Sequence, residues 1–569
     1  MAVPTDPLVK TSNRSRKRAG NPSYNVANVP PEIWAIIARL ASRESLARLC
    51  SVSLHFCFAF SPLLYANTVN PPLTANQSAR LIETVSDEKM YSWKPHPVSL
   101  IRSLGLIDGD GTDKFKDKAK ATRALKNLGF SSPHTKCCVL SVLHWSLEAG
   151  VDELGSILGP PGNFPYLKEL IVSSHGTNNN FGFLHIRGLH VLGLDISLAS
   201  LISAFYTTYD YTICDKPCFK LAEAIQMLPT SSPLLNSLKF KLRIPFDEEA
   251  FPYSAYSDLT TAINSIHLPL LTALDLSINL IPDDFEDYPL DLLPRADLST
   301  FLGSHPNITN LKLSVLGTTL KDDLVPRLRS FHGSFRDSID IFSPQRQLRK
   351  LDISLIHEDR YEFHPSPSFI LPPETHLLLT TLRIDSVDTF GTTMKMTNEL
   401  SPNSFHQVVH SFPNLTHLDV RINKRMAKYC HALMSLTKLE YLRLQQYRTR
   451  RLGPPSWPAA LIFPPTEYSQ QFDLLLPFLP RLTDIEISVS ADIYPASGEV
   501  WDPDPDSESD SEWEWDSELD FEQVWSPPEM KLDYSFSVMR QSSGAYVVLE
   551  NAQVTDSYSK HTDFKLEHA

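Results

Sequence analysis

One spacing recurs along this chain: an apolar residue, two others, then two apolar residues flanking a third. It reads LKELIV from Leu167, LHVLGLDI from Leu189, LNSLKFKL from Leu235, LTALDLSIN from Leu271 and ITNLKLSV from Ile308. It returns as LRKLDISL from Leu348, LTTLRIDS from Leu379, LTHLDVRIN from Leu415, LEYLRLQQY from Leu439 and LTDIEISVS from Leu482. Weaker copies begin at Ile101 (IRSLGL) and Leu140 (LSVLHW). The alternation puts apolar side chains on one side of a short strand that follows a turn. Several copies follow a helical run and a proline, as in SFHQVVHSF before Pro413 and YSQQFDLLLPFL before Pro480. A unit of this size cannot bury its apolar face alone, so the pattern demands a stack of βα units around one continuous core.

The array resembles a leucine-rich-repeat solenoid. Its central residues, Leu170, Leu192, Leu238, Leu274, Leu311, Leu351, Leu382, Leu418, Leu442 and Ile485, stand 22 to 46 residues apart. Regular repeats run about 20–29 residues, so this one is irregular and broken by long loops. The expectation is an α/β chain whose residues 98–494 form an irregular solenoid with a parallel strand face. The leucines are core, and function falls to the residues between them. Those pointing away from the core include Lys239, Lys241, Arg243, Lys312, Arg383, Arg421 and Arg443, a mildly basic set suited to an acidic or phosphorylated protein partner.

A different pattern precedes the array. Residues 29–69 hold three short helical segments, and in the first, Ile33, Trp34, Ile36, Ile37 and Leu40 recur at helical steps. Pro30 and Pro31 suit a helix start, where a missing N–H costs nothing. Ser42 is a candidate N-cap for the second segment, with Leu46 and Leu49 at helical spacing. The third, SLHFCFAFSPLLY, is apolar nearly all round. Some 40 residues bury little of their own surface, so the apolar excess points to docking on a neighbour or a partner.

This segment resembles the F-box. Val29, Pro30, Glu32 and Ile33 match its Leu-Pro-x-Glu-Leu opening; Ile36, Ile37 and Leu40 match its first helix. Leu46 and Leu49 fall on the second, Val52, Ser53 and Phe56 on the third, and Leu63–Tyr65 give the Leu-Leu-Tyr ending of fungal F-box-like proteins. Ser45 stands where the family carries Asp, and Leu54 and His55 where basic residues are common. With the array, the whole chain is similar to fungal F-box/leucine-rich-repeat proteins. That family docks a Skp adaptor, and through it a cullin, by the F-box, and holds a protein substrate on the repeats. The resemblance implies an adaptor rather than an enzyme, with Pro30, Ile33, Trp34, Ile37, Leu40, Leu46, Leu49 and Val52 as adaptor contacts or their support. A repeat scaffold acting outside a ubiquitin ligase is the alternative.

The net charge of −14 is local: twelve Asp or Glu and no Lys or Arg lie between Glu499 and Glu522. The remaining 545 residues therefore sum to only −2. With no long basic stripe there is no footprint for nucleic acid. No run of about 18 apolar residues suggests a membrane span, and no apolar segment near Met1 suggests a secretory signal. Seven irregularly spaced cysteines read as reduced thiols in cytoplasm or nucleus, with the sequons at Asn307 and Asn414 unused. Residues 1–28 read as a polar basic tail, with Arg14, Arg16, Lys17 and Arg18 a candidate import signal. Residues 495–528 read as an acidic, disordered segment carrying four tryptophans and serines in acidic context, a candidate pseudo-substrate for the basic strand positions. Residues 529–569 alternate across a Ser-Ser-Gly turn and read as a β-hairpin with a tail.

Catalytic and metal motifs are missing. GDGTDK at 109–114 lacks calcium-loop spacing, and CDKPC at Cys214–Cys218 has no second pair at zinc distance. Cys137 and Cys138 read as packing beside the strand at Leu140, and His305 and His410 as capping or surface residues at helix ends. No cofactor or metal is expected.

Overall fold

The computed structural model describes residues 30–52, 54–69, 73–86, 100–107, 119–120, 122–124, 140–147, 151–158, 164–174, 180–197, 212–246, 253–282, 296–315, 318, 320–321, 323–334, 341–342, 346–356, 376–387, 400–422, 425–448, 466–492, 529–540 and 546–556. The expected basic tail, the GDGTDK turn, Cys137–Cys138 and the acidic segment lie outside these residues.

Among the described residues, fifteen strands form one sheet in strict chain order. They are β1 (Ser103–Ile107), β2 (Val142–Ser146), β3 (Glu169–Ser174), β4 (Val191–Ser197), β5 (Ser237–Phe246), β6 (Ala273–Pro282), β7 (Asn310–Ser314) and β8 (Ser330–Ser334). After them come β9 (Lys350–Ile356), β10 (Thr381–Val387), β11 (His417–Ile422), β12 (Tyr441–Arg448), β13 (Asp484–Asp492), β14 (Glu529–Arg540) and β15 (Tyr546–Asp556). The first thirteen are parallel; β14 and β15 join antiparallel. The fold is therefore α/β, with helices between strands packing on the same side of the sheet as the leucines.

Register makes the recurring pattern physical. Leu104, Leu143, Leu170, Leu192, Leu238, Leu274 and Leu311 occupy one position in β1–β7. Phe331, Leu351, Leu382, Leu418, Leu442 and Ile485 continue it through β13. No residue of this column is more than 3% exposed. Thirteen strands exceed the twelve starts read from sequence. The additional one is β8, where Phe331 stands for the central leucine and Gly333 for the apolar residue two on. A Cβ on Gly333 would lie 2.5 Å from Phe331 Cζ, so the phenyl ring fills the space both side chains occupy elsewhere.

The strand starts carry a second repeated feature. The carbonyl of the residue before each of β1–β12 accepts two amides from the next unit, as Thr272 O does from Thr309 N (2.8 Å) and Asn310 N (3.1 Å). A hydroxyl often adds a third bond: Thr272 Oγ1 to Asn236 O, Thr309 Oγ1 to Thr272 O, Thr416 Oγ1 to Thr380 O, Thr483 Oγ1 to Glu440 O. The β-branched residue there favours the extended backbone, and its hydroxyl adds a further donor to a carbonyl that already accepts two amides.

Both ends of the parallel run are covered. At β1, Asn67 forms a parallel bridge with Ser103, and Thr68 Oγ1 accepts from Gly105 N at 3.0 Å. At the other end β14 pairs with β13 from Asp484↔Ser537 to Asp492↔Glu529, so the C-terminal hairpin extends the sheet. Pairing removes a parallel edge that would otherwise invite another chain.

Among the described residues, four α-helices precede β1: α1 (Pro31–Leu40), α2 (Arg43–Val52), α3 (Leu54–Ala66) and α4 (Ala75–Ser86). Pro30 is the N-cap of α1, and Ser42 Oγ caps α2 by accepting from Ser45 N. Thr74 and Gln77 cap α4 reciprocally. Helix α4 packs on β1 through Leu81, Ile82 and Val85 in the main core. Helices α1–α3 instead close around a small core of their own, Ala38, Leu46 and Phe60.

Candidate functional site

Helix α1 has two apolar faces. Trp34 turns inward, its ring edge-on to Phe56 (5.2 Å between centroids) and Phe60 (5.5 Å). Leu46 is buried and Leu49 half-buried in the same cluster, so these three hold the helical unit together. The other face points out. Ile33 is 44%, Ile36 53%, Ile37 37% and Leu40 84% exposed, at steps of three, four and seven. Pro30 and Val52 are exposed too. The structure thus divides the eight expected contacts: Pro30, Ile33, Ile37, Leu40 and Val52 lie at the surface, and Trp34, Leu46 and Leu49 support from within. Ile36 and Leu63 (42% exposed) belong with the surface set but were not among those contacts. The step of three from Ile33 was the available signal for Ile36.

Since this small cluster is separate from the sheet's core, the repeats do not cover the outward face of α1. The helical unit is tied to the sheet near the end of α3, where Tyr65 packs on the main core, and by polar bonds: Arg43 Nη2 donates to Asn67 O at 2.6 Å, next to the Asn67–Ser103 bridge. Within the unit, burial first of all pushes the Cys50 thiol above its ordinary range, so it packs as a neutral group beside Ser61.

The second surface is the outward side of the strands. The residue after the central leucine reads Lys239, Asp275, Lys312, His332, Asp352, Arg383, Asp419, Arg443 and Glu486 from β5 to β13. Strands lie about 4.8 Å apart, so each charge faces its opposite one rung away. His332 Nδ1 meets Asp352 Oδ2 at 2.8 Å, and Arg383 Nε lies 3.3 Å from Asp419 Oδ2. Arg443 reaches Asp419 at 3.8 Å and Glu486 at 3.5 Å, and Gln445 Nε2 donates to Asp419 Oδ1 at 3.1 Å. Burial, then the hydrogen bond to Glu486, pushes the Tyr441 phenol far above its usual range.

All seven expected basic residues sit on this side and are half-buried. They do not form a basic stripe. Arg243 pairs with Asp195 at 3.6 Å, and Arg383 and Arg443 share Asp419. Arg421 stands in register with Gln445. Lys239, Lys241 and Lys312 have no ion pair among the described residues. The alternation was readable at one position of the repeats found in the sequence, K, D, K, D, R, D, R, E, with His332 of β8 adding a member between Lys312 and Asp352; counting cations alone missed it.

No family model matches the chain, and no curated protein matches it.

Among the described residues no three His, Cys, Asp or Glu side chains stand close enough to hold a metal ion, and no helix is long and apolar enough to cross a membrane. Cys218 of the CDKPC run is buried in the main core. His410 is exposed, as expected of a helix-end residue. His305 is not at the surface: it is 2% exposed, Nδ1 bonds Phe301 O at 2.6 Å, and Nε2 accepts from Leu268 N at 2.8 Å. It caps, but from inside the core.

Proposed function

We propose that the chain is a substrate-receptor subunit of a Skp–cullin–F-box ubiquitin ligase. In this reading α1–α3 are the F-box and the strand array an irregular leucine-rich-repeat solenoid that holds a protein substrate. The observation that carries it is the outward stripe of α1. Four aliphatic side chains at helical spacing stay exposed on a unit whose own core is already closed. Isolated apolar residues on a surface are ordinary, but a contiguous helical stripe fits a helix-in-groove contact with a partner's helices. Catalysis of ubiquitin transfer belongs to other subunits of such an assembly. The alternative, a repeat scaffold acting outside a ligase, requires some other partner for that stripe.

Co-purification of the full chain with its host's Skp adaptor tests the reading. Leu40→Asp is the informative variant, because Leu40 is 84% exposed and lies outside the helical core. Burying a leucine contributes about 2 kcal/mol, so losing it and adding a charge weakens capture by at least about thirtyfold. Trp34→Asp is a poor probe, since it places a charge among Phe56 and Phe60. Failure of the wild-type chain to capture the adaptor, with its circular dichroism intact, refutes the reading in favour of the scaffold.

A further inference from the structure

At the strand-start edge, a cavity of about 610 Å³ opens among Leu270, Thr272, Asn307, Thr309, Arg327 and Arg329. Its lining includes two arginines and no carboxylate, in contrast to the strand face, where cations alternate with acids. The threonine hydroxyls are committed to the carbonyls of Asn236 and Thr272, which leaves the two guanidinium groups and the Gln347 amide as the side-chain donors, the guanidinium groups alone being charged. Arg327 is oriented: Nη1 donates to Asn307 Oδ1 at 2.8 Å, and Asn307 Nδ2 donates to Pro269 O at 3.3 Å. One of its five donors is so used; the rest have no partner among the described residues. Arg329 is exposed and its side chain has no partner among them either.

The turn that presents Arg327 is held in an uncommon conformation. Val325, buried and β-branched, has φ of 44°, a region such residues rarely adopt. The Arg346 guanidinium, 2% exposed, donates to Leu324 O at 2.9 Å and to Lys321 O, clamping the turn from beneath. Backbone strain persists where the surroundings over-determine it, and it clusters at ligand clamps and active sites. Leu270, also in the lining, is 50% exposed, and Leu234, one strand earlier, is 47% exposed.

We propose that this cavity binds an anionic peptide segment of a protein partner, its phosphate or carboxylate on Arg327 and Arg329 and a neighbouring apolar side chain on Leu270. Paired guanidinium groups match such oxyanions by charge-assisted, bidentate hydrogen bonds. The inference deepens the substrate-holding half of the function proposed above, and moves the partner's anion from the strand face to the strand-start edge.

The test uses the full chain and three immobilised peptide libraries, degenerate around a fixed phosphoserine, aspartate or serine. The chain is expected on the phosphoserine library, the aspartate library or both, and not on serine; the first two arms identify the source of the anion. Arg327→Gln with Arg329→Gln lowers retention at least tenfold, and Leu270→Ser lowers it severalfold. Arg102→Gln with Lys168→Gln removes the same charge from exposed residues elsewhere on that edge and leaves retention unchanged. Equal loss in both double variants reveals unspecific charge attraction and overturns the inference. So does retention undiminished in the Arg327/Arg329 variant, or loss confined to Lys239→Gln with Lys312→Gln. No retention on any library, with adaptor capture intact, removes this site and leaves the ligase reading standing.

Discussion

His305 offers the sharpest test of how the repeats are joined. Its ring links two units: Nδ1 bonds Phe301 O in the helix Ser299–Ser304, and Nε2 accepts the Leu268 amide from the turn before β6. That pairing requires the neutral tautomer with the proton on Nδ1, since a protonated ring has no acceptor for Leu268 N–H. Burial, the leading cause, lowers the His305 pKa below its ordinary 6.5; the Phe301 bond opposes that shift and the His267 charge adds to it. The unfolded chain therefore takes up a proton before the folded one does. The stabilisation is complete above about pH 6.5 and is lost progressively as pH falls through the lowered folded value. His305→Leu keeps the volume roughly and strands one buried donor, the Leu268 amide, at a cost of about 1–3 kcal/mol, while Phe301 O keeps its bond from Ser304 Oγ at 2.8 Å. The predicted loss of about 1–3 kcal/mol is concentrated at the junction of β6 and β7.

Amide hydrogen exchange at Leu268, corrected for the intrinsic pH dependence, reads this directly. In the wild type, protection drops between pH 7 and pH 5. In His305→Leu it is low at both values and nearly flat. The argument fails if the Leu268 amide keeps full protection at pH 5, or if the variant retains the wild-type slope. His376, also lowered by burial, titrates in the same direction but lies at the turn before β10, so the local readout separates the two.

Other outcomes follow from the packing. Phe331→Ala opens a cavity across two inner positions of β8 and lowers stability by about 3–5 kcal/mol, measured by urea denaturation. Gly333→Ala lowers it by more than about 1 kcal/mol, because the new methyl group meets Phe331 Cζ and, at 2.9 Å, Leu313 O; a neutral result refutes the shared-space explanation. Removing residues 529–569 bares β13, and light scattering is expected to show concentration-dependent association, whereas a monomeric, soluble product contradicts the covering role of the hairpin.

The sheet was readable because its rule is simple: a leucine column in register needs only one apolar residue at a constant offset from a turn. Twelve of the thirteen parallel strands announce themselves that way. The remaining one does not, because β8 solves the same packing problem with one large ring and a glycine, and a pattern of types cannot see a volume shared between positions. The hairpin was readable by alternation, but its union with β13 depends on pairing across more than thirty intervening residues. At α1 the helical period was plain, while the division between Trp34 inside and Ile33, Ile36, Ile37 and Leu40 outside depended on where α3 placed Phe56 and Phe60. His305 shows the limit from the other side, since a histidine before a proline reads as a cap whether its ring meets water or a leucine core.

The charges on the strand face carry the same lesson into function. Lysines and arginines counted alone suggest attraction for an anion, but the Asp419 carboxylate lies between Arg383 and Arg443, and Glu486 opposes Arg443 from the far side. A partner's phosphate arriving there would have to compete with carboxylates already 3.3–3.8 Å from the guanidinium groups and only 13% and 43% exposed. Displacing a partly buried partner costs more than an exposed pair returns. Such a ladder fixes the register of neighbouring strands and offers alternating charge to whatever docks across it. Arg327 and Arg329, by contrast, face a cavity without a carboxylate in its lining. Lys239, Lys241 and Lys312 on the strand face have no ion pair among the described residues, but acids stand on the neighbouring strands of that face. At the strand-start edge two guanidinium groups share one cavity whose lining holds no carboxylate, which is why that edge is the place to seek an anionic partner.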